Sequence, residues 1–113
     1  MELTISKKAG YVLAKTKGAV DDTAPDIFLR RLHPVAKQYD AMLILDLSGS
    51  DRINSMGIGA LVSLVSEAGT SNCRVVLAGP TEFVAGALRV AKLETIFDIA
   101  DDVDEAVGRL LGD

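Results

Sequence analysis

Apolar and polar residues alternate from Glu2 to Lys7, and after Ala9-Gly10 the run from Tyr11 to Lys17 carries Val12, Leu13 and Ala14. A period of two sends successive side chains to opposite faces of a sheet, so the pattern predicts two short paired strands, closed by Gly18. Thr23 and Asp26 have the Ser/Thr-x-x-Asp/Glu spacing of a capping box, with Pro25 in the first turn, where its missing N–H is not needed. A helix is therefore expected from near Ala24. Its apolar face would carry Phe28, Leu32, Val35 and Tyr39, and Pro34 should kink or shorten it.

Ala41 to Leu47 is almost continuously apolar between turn formers, the pattern of a central strand covered on both faces. After the loop Ser48-Gly49-Ser50-Asp51-Arg52, residues Ile58, Leu61, Val62 and Val65 fall at i, i+3, i+4 and i+7, which predicts a second helix from about residue 56 to Ala68. Cys73 to Ala78 repeats the buried-strand pattern. Gly79-Pro80-Thr81 then introduces a third helix with Val84, Ala87, Leu88 and Ala91 inward. A short strand around Thr95-Ile96-Phe97 and a last helix opened by Asp101, with Val103, Ala106, Val107 and Leu110 as its stripe, complete the order. The fold class is α/β: a mixed four- to five-stranded sheet, an N-terminal antiparallel pair followed by parallel β-α-β units with right-handed crossovers, packed with about four helices.

At 113 residues the chain fits one domain, residues 1–113. With 49% hydrophobic and 25% charged residues it can bury a core without disulfides, and its lone cysteine points to a reducing compartment. Twelve Lys and Arg against sixteen Asp and Glu leave a net charge of −4 with no basic stripe, so nucleic acid is not the expected partner. The N-terminus lacks the apolar segment of a signal peptide, and no run approaches the ~20 apolar residues that span a bilayer. A soluble, cytoplasmic protein without membrane insertion is expected.

Catalysis needs groups that titrate or bind metal, and the chain has one His and one Cys. His33 is expected on a helix surface without the orienting partner a general base needs, and Cys73 reads as a small core hydrophobe. Gly57-Ile58-Gly59 completes neither a dinucleotide fingerprint nor a Walker loop, and Ser55 to Gly59 is not a hydrolase elbow. The acids Asp101, Asp102, Asp104 and Glu105 read as charge complementing a helix N-terminus, not as a metal site. No enzyme activity, catalytic residue, metal or cofactor is expected.

What remains is Asp46 to Leu61, crowded with small polar residues at the carboxyl end of the central strand, where open α/β sheets place their sites. Ser55 lies at or just before a helix start whose first turn lacks an acid, so its position fits either an N-cap or an acceptor of an anionic phosphoryl group. A phosphate there would add about −1.5 to −2 charges, enough to remake a protein interface. Met56 could be an exposed thioether making an apolar contact beside Ile58, or filler beneath the helix.

These residues resemble the STAS domain family, which includes the anti-sigma factor antagonists of bacterial partner-switching systems. The family pattern is an apolar strand ending Asp-Leu-Ser, a short loop, then an apolar residue followed by Asp-Ser-Ser/Thr-Gly-Leu-Gly. Asp46-Leu47-Ser48-Gly49, then Ile53-Asn54-Ser55-Met56-Gly57-Ile58-Gly59 and Leu61, follow it without a gap, and Gly18-Ala19-Val20-Asp21 is similar to the family's Gly-x-Leu-Asp. Two departures stand out: Met56 occupies the position of the family's phosphorylated serine or threonine, and Asn54 that of its aspartate. The resemblance implies a regulatory module of transcription, a bacterial anti-sigma factor antagonist. Its partner would be an anti-sigma factor with serine kinase activity, contacted through Asp21, Asn54, Ser55, Met56, Gly57, Ile58 and Gly59. Ser55 is the remaining phosphorylation candidate. The alternative the family offers is a STAS subunit of a lipid-transport ATP-binding-cassette complex, docked to its ATPase.

Overall fold

The computed structural model describes residues 1–112. Its elements in chain order are β1 (Glu2–Lys8), β2 (Tyr11–Lys17), α1 (Ala24–Arg31), α2 (His33–Ala36), β3 (Met42–Gly49), α3 (Ser55–Thr70), β4 (Arg74–Ala78), α4 (Glu82–Val90), β5 (Asp98–Ala100) and α5 (Val103–Leu111). One five-stranded sheet has the order β1-β2-β3-β4-β5, with β1 and β2 antiparallel and all later pairs parallel. The expected mixed sheet, its N-terminal pair and the central place of β3 are all present.

Alternation within the strands divides the core between two faces. Leu43, Leu45 and Leu47 of β3 and Leu77 of β4 share one cluster with Phe28 and Leu32, with Leu61 and Leu64 of α3, and with Val84 and Leu88 of α4. Ile44 and Val76 point the other way, against Ala106 and Leu110 of α5. Strands covered on both sides need apolar residues at every position, which is why β3 and β4 read as unbroken runs.

Several expectations are corrected at element ends. Pro34 shortens the helix, as expected, but kinks nothing: α1 stops at Arg31, and Pro34 lies in the first turn of the separate α2, where its lack of N–H breaks no bond. That makes five helices instead of about four. Because α2 ends at Ala36, Tyr39 falls beyond it and is 78% exposed, not part of a buried face. His33, expected on a surface, is only 6% exposed, because α2 turns it onto α3 with Nδ1 3.5 Å from Glu67 Oε1.

The Thr23 capping box does not form. Thr23 already has helical backbone angles and caps nothing, while Asp26 pairs with Arg30 one turn on, at 2.9 Å. The third parallel unit ends later than expected: Thr95 and Ile96 lie in a turn, Phe97 is buried, and β5 pairs through Asp98 and Ala100 with Val76 and Ala78. Asp102, not Asp101, caps α5 by accepting from the Glu105 N–H at 2.8 Å. The buried stripe of α3 is Gly57, Ala60, Leu61, Leu64 and Ala68, whereas Ile58, Val62 and Val65 are half-buried. Small residues face the neighbouring elements here, and counting only large apolar residues rotates the stripe away from them.

Candidate functional site

The site stands on two loops sewn together at the carboxyl ends of β2 and β3. The Gly18 N–H donates to Gly49 O at 3.0 Å, the Val20 N–H to Arg52 O at 2.9 Å, and the Asn54 N–H to Val20 O at 3.2 Å, with Val20 and Ile53 forming a parallel bridge. Ser50 is fully buried, its hydroxyl 2.6 Å from that of Thr16, and the Thr81 hydroxyl donates to its carbonyl at 3.0 Å. The buried hydroxyls of Thr16 and Ser50 satisfy each other, so the loop is a rigid platform at the edge where α/β sheets present their sites.

Asn54 launches α3 from this platform. Its backbone is extended (φ −114°, ψ −177°), and its Oδ1 accepts the Gly57 N–H at 3.0 Å, so Asn54 is the N-cap and Ser55 is the first helical residue. The reading of Ser55 as a cap is thereby corrected: an amide side chain one residue earlier takes that bond. Replacing Asn54 with alanine is expected to lower the urea midpoint of unfolding by an amount worth about 1 kcal/mol, whereas Asn54→Asp, which keeps the acceptor and adds charge at the dipole's positive end, should lose nothing. Equal losses in the two variants would contradict the cap.

The seven residues expected to meet a partner lie together around this helix start, with different exposures. Asn54, Ser55, Met56 and Gly59 are exposed, Asp21 and Ile58 are half-buried, and Gly57 is buried. The Ser55 hydroxyl has no hydrogen bond within the described residues, and the first turn of α3 has no acidic residue, so a bound or covalent anion there would meet free N–H groups. Met56 projects outward and is 52% exposed, which decides its orientation. Gly57 lies against the backbone of Val20, where a side chain has no room, while a Cβ added at Gly59 would meet nothing beyond its own helix within 4 Å. The Asp21 carboxylate turns along its own loop, its Oδ1 accepting from Thr23 N–H at 3.0 Å and from the Thr23 hydroxyl at 2.6 Å. These bonds hold its pKa below the ordinary 3.8.

Apolar clefts flank the start of α3 on both sides. One of about 320 Å³ separates it from α1 and α2 and is lined by Pro25, Leu29, His33, Met56, Ala60 and Ser63, among others. The other runs between Ile58 and the α4 residues Phe83 and Val90, with the Arg52 guanidinium 5.3 Å from the Phe83 ring centre in a cation–π contact. Leu29, Phe83 and Val90 were not among the expected site residues. They are exposed large apolar residues outside the buried stripes of α1 and α4, and that displacement is the signal in the sequence that marks them.

The first turn of α3 and the clefts beside it present mainly small neutral and apolar side chains. Cys73 is buried at the foot of β4, and desolvation pushes its thiol pKa up, away from the nucleophilic thiolate. His33 makes no hydrogen bond to any serine, and among the described residues no group of three His, Cys, Asp or Glu side chains is placed to hold a metal ion. No helix among them is long and apolar enough to cross a membrane.

A number of solved structures share this architecture. A Thermotoga maritima protein, solved as a candidate anti-sigma factor antagonist, matches with a TM-score of 0.85 at 21% identity over 96% of this chain and 93% of its own. The anti-sigma factor antagonist SpoIIAA in its unphosphorylated form matches with 0.82 at 17% identity over 99% and 98%. The murine anion transporter Slc26a9 carries the same fold within a longer chain, with a TM-score of 0.80 at 18% identity over 96% of this chain and 19% of that one. The family model for the STAS domain matches residues 2–106, nearly the whole length of the fold described above, and the chain belongs to that family.

Proposed function

We propose that this STAS domain is an anti-sigma factor antagonist, a non-enzymatic cytoplasmic regulator that binds an anti-sigma factor with serine kinase activity. The observation that carries the reading is the exposed, rigidly mounted first turn of α3, which presents an unbonded serine hydroxyl beside a half-exposed methionine. A kinase needs an accessible hydroxyl on a defined backbone, and a docking partner needs apolar area that stays fixed when approached. The antagonists among the structural neighbours support the reading at the level of fold. Docking would use Asp21, Asn54, Ser55, Met56, Gly59 and the exposed edge of Ile58, with Gly57 seated against Val20 beneath them.

In this reading the unmodified surface binds and a phosphate on Ser55 releases it, by placing about −1.5 to −2 charges and a hydration shell in an otherwise apolar contact. The test is affinity capture with the tagged chain from its native host, followed by incubation of the captured kinase with ATP. Recovery of a serine-kinase-type anti-sigma factor is expected, with phosphate incorporation abolished by Ser55→Ala and affinity lowered at least about tenfold by Ser55→Glu. Undiminished incorporation into the Ser55→Ala chain would sink the modification. Recovery of an ATP-binding-cassette ATPase in place of an anti-sigma factor would replace the antagonist with the transport-complex alternative.

A further inference from the structure

We infer that Met56 is a redox-modification site, at which a peroxide converts the thioether to a sulfoxide and makes the mouth of the α1–α3 cleft polar. The chain has three methionines. Met42 opens β3, paired with Arg74 of β4 and packed on the α5 side, and Met1 is packed against the main core. Both are half-buried, and Met56 alone is counted among the exposed large apolar side chains, at 52%. The other sulfur of the chain, Cys73, is buried and held as the less reactive thiol, so it does not compete for the oxidant.

The backbone under Met56 is clamped from both sides. The Asn54 cap accepts the Gly57 N–H, and Gly57 itself is wedged against Val20. A change at the Met56 side chain therefore stays local and alters the cleft surface, where its neighbours are Pro25, Leu29 and Ala60. The reaction is a two-electron oxygen transfer. The sulfur lone pair attacks one peroxide oxygen, an S–O bond forms as the O–O bond breaks, and water leaves, so that thioether plus hydrogen peroxide gives sulfoxide plus water with sulfur oxidised and peroxide reduced. A sulfoxide is polar and chiral where the thioether was apolar and pliant. Its effect on partner binding rests on the antagonist reading above, in which Met56 supplies apolar contact area.

The test follows the full chain, labelled with 13C at the methionine methyl groups, during exposure to hydrogen peroxide, with peptide mass spectrometry to assign each site. The Met56 signal is expected to disappear about five times faster than those of Met42 and Met1, while the melting temperature changes by no more than about 2 °C. Amide shifts should concentrate at Leu29, Gly59 and Ser63, and methionine sulfoxide reductases of both epimer specificities, driven by thiol, should restore the starting spectrum. Met56→Leu should remove the fast phase and leave the slow ones. Oxidation of Met42 or Met1 at the rate of Met56, or cooperative unfolding accompanying the fast phase, overturns the inference. A chain that shows the fast phase but captures no anti-sigma factor refutes the proposed function and not the modification; equal oxidation rates in a chain that does capture one refute the modification alone.

Discussion

Substituting Gly57 with alanine is expected to destabilise the domain by about 3 kcal/mol, a large share of the 5–15 kcal/mol that holds a domain of this size. A Cβ at this position would lie 2.8 Å from the carbonyl carbon of Val20 and 2.9 Å from its Cγ1, and closer still to its carbonyl oxygen. Val20 cannot give way: it is fully buried, its N–H is bonded to Arg52 and its carbonyl receives the Asn54 N–H. The first turn of α3 must therefore lift, which breaks the Asn54 bond to Val20 and strains the cap to Gly57, adding the ~1 kcal/mol of a lost cap to the ~1–3 kcal/mol of overpacking. Gly59→Ala is the control, because its added Cβ would meet nothing beyond its own helix within 4 Å and a helical, exposed glycine exchanged for alanine should raise stability by up to about 1 kcal/mol. Urea unfolding of the two variants measures the contrast, and similar midpoints would show that the close approach to Val20 does not constrain the helix. In a binding assay Gly57→Ala should also lose the partner, since Ser55 and Met56 move with the lifted turn. Gly59→Ala keeps the fold and tests whether the cleft itself is occupied.

The contrast between these glycines shows where sequence reading stops. Gly57 and Gly59 flank one isoleucine and look equivalent in the chain, and their difference is made by Val20, which is brought beneath α3 only by the pairing of two strand-exit loops. The sheet was legible because β3 and β4 are covered on both faces and so carry unbroken apolar runs, a pattern set by solvent exclusion alone. The candidate site was marked out for a related reason, since small polar residues between a buried strand and a helix have no place in either. Periodicity failed where an element restarts. Once Pro34 opens a new turn, the phase carried forward from Phe28 no longer applies, so Tyr39 comes out exposed and His33 buried. At the start of α3 the residue types Asn and Ser serve equally well as caps, and only the extended backbone at Asn54 separates them. The turn of Asp21 onto Thr23 is a local i, i+2 bond of a kind Asp favours, though its spacing alone does not compel it.

Phe28→Ala is expected to cost about 3–5 kcal/mol, the most of any single change considered, and to act first on one wall of the cleft. Helix α1 has eight residues, too few to persist without packing, and only Ala24 and Phe28 of them are buried. The Phe28 ring is fully enclosed in the core cluster shared by β3, α3 and α4, and its removal takes away most of the apolar area that holds α1 to the sheet. Amide hydrogen exchange should then show α1 opening while β3 and β4 stay protected, because the strands keep their pairing and α5 still covers their other face. Uniform loss of protection, or a change below about 1 kcal/mol, would contradict this placement of the ring. Leu29, next in the chain, is exposed and lines the cleft, so Leu29→Ala should cost less than about 0.5 kcal/mol in stability. If the cleft between α1 and α3 receives a partner, that stable variant should still bind it more weakly. Phe28 would then be the residue that holds the wall in place, and Leu29 part of the surface the partner touches.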